Sequence, residues 1–361
     1  MKSSVMALIK ISSFSMCKVC EVTFLVILCL WFITSFMEEA VYGGDEDETG
    51  FSSRLFQSNH KNDKKRNFTC YNDDDPFSRK LFPDKILKDR GCEQRLPSVL
   101  VSGVKYCTTD LLTSILRHHP YLVFPKTRDV SYFSDFYDMG IKWYRRQMGF
   151  SIREQMNVDS SSSYFTHNLA PERISRELLD EVKVIVLFCD PVVRALRESK
   201  DIKVSQEELL KDMVVELEDG QTTEDHDIWG WSTSDLGGSS SNPVVINGLY
   251  INFLPTWYKY LPEQNFFMLG EERLFNNTEE VLVRIEKFLK LPSFYESKIF
   301  RDPFLDVICL RTYDFNPFCF SQKKSEKAVA VAKTATEVQE LQKFYEPYNQ
   351  KLQKLFLVPV L

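Results

Sequence analysis

The sequence predicts an α/β domain with a central parallel sheet flanked by helices, and three observations predict it. The short apolar runs SVLVSG (98–103), KVIVLF (183–188) and NFFMLG (265–270) have the length and content of strands buried on both faces. Apolar residues recur at helical spacing in EEVLVRIEKFLK (279–290) and again over 336–356. Residues 100–120, LVSGVKYCTTDLLTSILRHHP, read as a strand, a tight turn through Gly103 and a helix beginning near the threonines. Such a turn aims backbone N–H groups and the positive end of a helix dipole at one point, which is the layout of a phosphate cradle.

Composition narrows the function classes. The chain has 361 residues, 43% hydrophobic and 13% aromatic, enough for one large core or two modest domains. Its net charge of −6 offers nucleic acid no general attraction, so no nucleic-acid partner is expected. An anionic ligand must be held by a local pocket.

Residues 22–37, VTFLVILCLWFITSFM, carry no charge and approach the length of a spanning helix. Lys2, Lys10 and Lys18 precede the run, and Glu38, Glu39 and the acidic residues 45–48 follow it. That asymmetry predicts a single-pass type II anchor, with 1–21 cytosolic, 22–37 in the membrane and the rest luminal. A cleaved signal peptide, processed among the small residues at 40–44, is the competing reading. Residues 38–95 alternate acidic and basic blocks without an apolar period and read as a luminal stem, leaving 96–361 as the folded domain. Within it, residues 219–243, rich in Gly, Ser and Asp, read as a long surface loop over the open side of the sheet. The sequons at Asn67 and Asn276 agree with a luminal compartment.

Five segments stand in an order that resembles the Golgi carbohydrate sulfotransferases, above all the heparan sulfate glucosaminyl 3-O-sulfotransferases and the N-acetylgalactosamine 4-sulfate 6-O-sulfotransferase. They are the strand, loop and helix ending in His118-His119-Pro120; Asp190-Pro191-x-x-Arg194 behind a strand; GLYINFLPTWYKYLPEQNFFMLGEERL (248–274); FLKLP (288–292); and the tail CLR…CFSQKKSEK…FYEPYNQKL. The resemblance spans about residues 96–356. It implies a P-loop-like sulfotransferase fold and transfer of a sulfuryl group from 3′-phosphoadenosine 5′-phosphosulfate to a hydroxyl of a glycosaminoglycan-like glycan. It also implies a Golgi membrane protein with its catalytic domain in the lumen and no metal.

Residue by residue, the resemblance carries departures. The family cradle resembles G-x-x-K-x-G-T; from Gly103 its lysine falls on Tyr106, its second glycine on Thr108 and its threonine on Thr109, with Lys105 one place early. The expected donor-binding set is therefore Lys105, Tyr106, Cys107, Thr108, Thr109 and Asp110. Against that stands a plain capped turn, with threonine as N-cap. The family's R-D-P-x-x-R-x-x-S-like motif becomes C-D-P-V-V-R-A-L-R, so Cys189 replaces an arginine and Arg197 brings a cation back one turn later, while Asp190, Pro191 and Arg194 are expected to hold the turn. Lys324 completes the donor set from the S-K-G-R-like loop.

The catalytic carboxylate of an E-V-H-F-F-like stretch falls on Asp129, followed by Ser131, Tyr132 and Phe133. The family's E-K-T-P-like run falls on Asp159 and four serines, with Ser160 in place of a lysine. Cys309 and Cys319 match the family's disulfide pair, Cys107 and Cys189 are expected to stay reduced beside buried strands, and the pairing of Cys70 and Cys92 stays open. Two functional readings follow: a sulfotransferase with a diverged donor pocket, or a sulfotransferase-fold protein without catalysis that binds a glycan or a luminal partner. A P-loop kinase is excluded by the lack of G-K-[ST].

Overall fold

A computed structural model describes residues 69–72, 80–178, 181–203, 242–304, 307–312, 317–320 and 336–356, all inside the unit Phe68–Leu361. The apolar run at 22–37, Asn67, residues 219–241 of the expected loop and Lys324 lie outside the described residues. Among the described residues no helix is long and apolar enough to cross a membrane.

Packing begins ahead of the boundary expected at residue 96. A short helix α1 (Asp84–Asp89) and strand β1 (Glu93–Gln94) lie against the body, where β1 pairs antiparallel with β4 (Phe150–Ser151). Cys70 and Cys92 are bonded, and around them Leu87, Ile152, Leu81 and Phe82 form a small apolar cluster. A cross-link and a local cluster let a segment without apolar period fold, which composition alone does not reveal.

The three apolar runs become β2 (Val99–Gly103), β6 (Lys183–Phe188) and β7 (Phe266–Gly270). With β3 (Leu122–Val123) and β5 (Met156–Asp159) they form one parallel sheet in the order β3-β5-β2-β6-β7. Side chains alternate across it as strand geometry requires. Val99, Val101, Ile185 and Leu187 pack with α2 (Thr109–Leu116) and α9 (Thr278–Leu289), whereas Leu100, Val184, Val186 and Phe188 pack with Tyr250, Phe253 and Trp257 of α7 (Tyr250–Tyr260). Both faces are thus covered, which is why the strands read as unbroken apolar runs.

A separate three-stranded antiparallel sheet, β8 (Ile299–Asp302), β9 (Val307–Leu310) and β10 (Phe318–Phe320), is stapled by Cys309–Cys319, which sit opposite one another in register. The last described helix, α10 (Thr336–Phe356), lays Val338, Leu341, Phe344 and Tyr345 onto Val192 and Ala195 of α5 (Pro191–Ile202).

From β2 the chain leaves toward β5 and β3, and from β6 it leaves toward β7, so the connections diverge between β2 and β6. A crevice at the carboxyl ends of the strands is where such sheets bind ligands.

Candidate active site

Every segment singled out in the described chain for chemistry lies just past a strand end on this one edge. The loop 104–108 follows β2, Asp129 follows β3, Ser160 to Ser163 follow β5 and Asp190 follows β6. Parallel pairing brings together groups far apart in sequence.

The cradle loop is short. Gly103, at φ +136°, has room for no side chain, since a Cβ there would stand 2.5 Å from the Ser162 carbonyl oxygen. Tyr106 holds the left-handed region at φ 70°, and its hydroxyl donates to Asp201 at 2.9 Å. Burial first, and that carboxylate second, push the Tyr106 phenol up to about 12. Thr109 does not face an anion: its hydroxyl turns back onto the carbonyls of Val104 (3.1 Å) and Cys107 (2.6 Å), and its N–H bonds Cys107 as well. The Cys107 N–H is likewise committed, to the Val104 carbonyl at 3.1 Å. Lys105 is exposed, its ammonium 5.3 Å from the Tyr106 ring centroid.

Thr108 differs from its neighbours in the loop. It sits at the N-cap of α2 without making a side-chain cap, and its buried hydroxyl has no partner. The capped-turn reading therefore misses its cap. Its N–H donates to the carboxylate of Glu271 at 3.2 Å, and the same oxygen accepts from Arg197 Nη1 at 3.1 Å. Glu271 is the first residue of α8 (Glu271–Asn276), directly past the end of β7. Arg197, on α5, also donates to the Tyr106 carbonyl at 2.8 Å, so its guanidinium lies against the loop itself. The two side chains of the ion pair are 20% and 15% exposed.

The cysteine expectation is corrected here. Cys107 and Cys189 are bonded, with their Cα atoms 5.3 Å apart. The loop past β2 and the end of the adjacent β6 present the two thiols side by side, and burial next to strands does not keep apart cysteines that neighbouring strands bring together. Cys189 thus replaces the expected cation with a cross-link. Asp190 caps α5 by accepting from the Val192 N–H at 2.8 Å, and Arg194 is buried, bonded to Glu198 and to the Val244 carbonyl. Asp190 thus caps the turn, while the Arg194 side chain ties α5 to the segment at Val244.

Asp129 stands at the exposed rim and accepts from the Ser162 N–H at 2.9 Å. Partial desolvation raises its carboxyl above the ordinary range; the Ser162 N–H opposes this, Asp110 adds to it and Lys105 counters it. The last two influences place the carboxylate within electrostatic reach of the cradle. Beneath it lies Asp159, fully buried, which accepts from the hydroxyls of Tyr144, Tyr164 and Ser161, each at 2.7 Å. Burial raises its pKa against those three donors. Ser161 also accepts from the Ser131 N–H at 2.9 Å, and Tyr132 stacks on Tyr144 with ring centroids 4.3 Å apart. Asp159 is thus a buried post on which the Asp129 segment is mounted.

Sequence reasoning placed Asp159 but not its role, and missed Glu271. A buried aspartate closing the strand MNVD among tyrosines is a readable signal for that role of Asp159. Glu271 was signalled by its place as the first residue after a buried strand, level with the cradle. Asn276, the described sequon, is exposed at the end of α8, and among the described residues no cluster of metal-ligating side chains occurs.

A parallel α/β sheet thus carries, on one edge, the loop after β2 and its helix, the Arg197–Glu271 pair and the Asp129 carboxylate. The sequence comparisons give the particular kin. The chain is 25% identical over 265 residues to heparan sulfate glucosamine 3-O-sulfotransferase 5 of Homo sapiens, covering 73% of this chain and 72% of that protein. It is 28% identical over 265 residues to heparan sulfate glucosamine 3-O-sulfotransferase 6 of Mus musculus, with the same coverage. The chain is a homologue of these sulfotransferases. No protein-family model matches it. A solved sulfotransferase structure from Alicyclobacillus acidocaldarius matches loosely, with TM-score 0.49 at 15% identity over 72% of this chain and 96% of its own.

Proposed function

We propose that the chain is a carbohydrate sulfotransferase, moving a sulfuryl group from 3′-phosphoadenosine 5′-phosphosulfate to a hydroxyl of a heparan-type glycan. The setting we propose is the Golgi lumen, with residues 22–37 as a type II anchor, a linking segment after it, and a luminal folded domain that takes in the Cys70–Cys92 segment. The observation that carries the reading is the position of Asp129, a carboxylate with raised pKa held by the Ser162 N–H on the same sheet edge as the loop after β2.

The cradle fits a phosphate-type oxyanion. A carboxylate oxygen of Glu271 already sits on the Thr108 N–H and Arg197, and the buried Thr108 hydroxyl has a donor to spare. Thr108 and Arg197 would hold the donor's phosphate, with Lys105 and, from outside the described residues, Lys324 as flanking cations. The nucleotide supplies the activated sulfuryl group. Asp129 takes the proton from the acceptor hydroxyl, and a raised pKa makes it a better base for that task near neutrality. The Ser162 N–H fixes which carboxylate oxygen stays free, and Asp159 with its three hydroxyl donors keeps that wall from shifting.

Asp129→Asn keeps size and polarity and removes the base. Sulfuryl transfer by the full chain is expected to fall by ~10²- to 10⁴-fold, with affinity for adenosine 3′,5′-bisphosphate unchanged. Equal transfer by both proteins removes Asp129 from the role. The second reading, a glycan- or partner-binding protein without catalysis, is favoured by one observation, the Glu271 carboxylate resting where the donor must bind.

A further inference from the structure

The cradle already has an anion in it. Loops that bind phosphate normally present free N–H groups and an unpaired cation. Here the N–H of Thr108 and the guanidinium of Arg197 both donate to one oxygen of Glu271. The pair is mostly shielded from water, and Arg197 is fixed a second time through the Tyr106 carbonyl. Other donors of the loop are turned inward, because Thr109 and the Cys107 N–H bond the loop's own carbonyls. The Thr108 hydroxyl at the same helix start is buried and unpartnered, as expected of a site shaped for an oxyanion with more acceptor oxygens than a single carboxylate oxygen provides.

We propose that Glu271 is an internal occupant of the donor-phosphate position, competing with any oxyanion for Thr108 and Arg197 and so setting the affinity of the cradle. The proposal rests on the loop being the donor cradle and is independent of catalysis. A phosphate or sulfate approaching Thr108 meets a carboxylate of like charge at contact distance in a half-shielded crevice, where repulsion is screened little. It must displace that carboxylate. Removing the charge while keeping the shape therefore uncovers a stronger site.

The test is calorimetric titration of the full-length chain with adenosine 3′,5′-bisphosphate, and with inorganic sulfate as the simplest oxyanion. Glu271→Gln keeps an acceptor oxygen for the Thr108 N–H; Glu271→Ala empties the position. Both are expected to bind the bisphosphate at least tenfold more tightly than the wild type, and adding Arg197→Ala to either is expected to abolish the gain. Sulfate should compete for the uncovered site. Folded variants that bind no more tightly than the wild type overturn the proposal. So does loss of folding in both, which would make Glu271 a structural strut. A Glu271→Gln protein that binds tightly but transfers no sulfuryl group keeps this proposal and removes the catalytic reading. Efficient wild-type transfer with no gain on substitution does the reverse.

Discussion

Arg197 and Glu271 decide the character of the site between them. The arginine was legible, because a cation one helical turn past Arg194 stands out in PVVRALR; its partner was not, because pairing across separate strand ends depends on sheet order. Thr109 is the opposite case, a residue whose chemistry suited an anion but whose hydroxyl the tight loop needed for itself. His119, seen in the sequence as a family signature, is buried and structural. Its Nδ1 accepts from the Tyr121 N–H, so Nε2 carries the proton toward the Pro292 carbonyl at 3.2 Å, and burial pushes the ring down to about 4. Glu286, 3.5 Å away, therefore faces a neutral imidazole.

The sign follows from proton counting: between pH 6.5 and 4 the unfolded chain binds a proton that the folded chain refuses, so stability falls as pH falls. About 2 kcal/mol should be gone by pH 5, partly offset by Glu286, whose own pKa burial raises. Denaturant titrations at pH 7 and 5 should show this loss in the wild type and a smaller one in His119→Gln; equal slopes would remove His119 as the cause.

At the scale of elements, the sheet was readable and the cross-links were not. The three apolar runs became adjacent parallel strands because burial on both faces demands continuous hydrophobicity, and the two periodic segments became α9 and α10. Cys309–Cys319 followed from the family pattern and lies in register across β9 and β10. Cys107–Cys189 did not, since the pairing of β2 with β6 that aligns the thiols is a long-range fact. This bond spans 82 residues and the other 10. In the chain-entropy picture they are worth ~4 to 5 and ~3 kcal/mol. Serine replacement of the Cys107–Cys189 pair should therefore lower the unfolding free energy more than replacement of the Cys309–Cys319 pair. Denaturation curves giving the reverse order would show that the long cross-link contributes little to holding the cradle loop on β6.

Across the whole molecule, one edge of the parallel sheet gathers the loop after β2, Asp129, the serine run, Cys189 and Glu271, and in the proposed reading this edge is a donor pocket with an internal carboxylate in it. Homology to the 3-O-sulfotransferases speaks for transfer, and the internal carboxylate speaks for a restrained form of it. The most direct test is transfer of labelled sulfate from 3′-phosphoadenosine 5′-phosphosulfate to heparan sulfate by the full-length chain. Labelled glycan should form with the wild type, more quickly at subsaturating donor with Glu271→Gln, and at background with Asp129→Asn. No label from the wild type or from a Glu271→Gln protein that binds the bisphosphate would contradict the assignment as an enzyme.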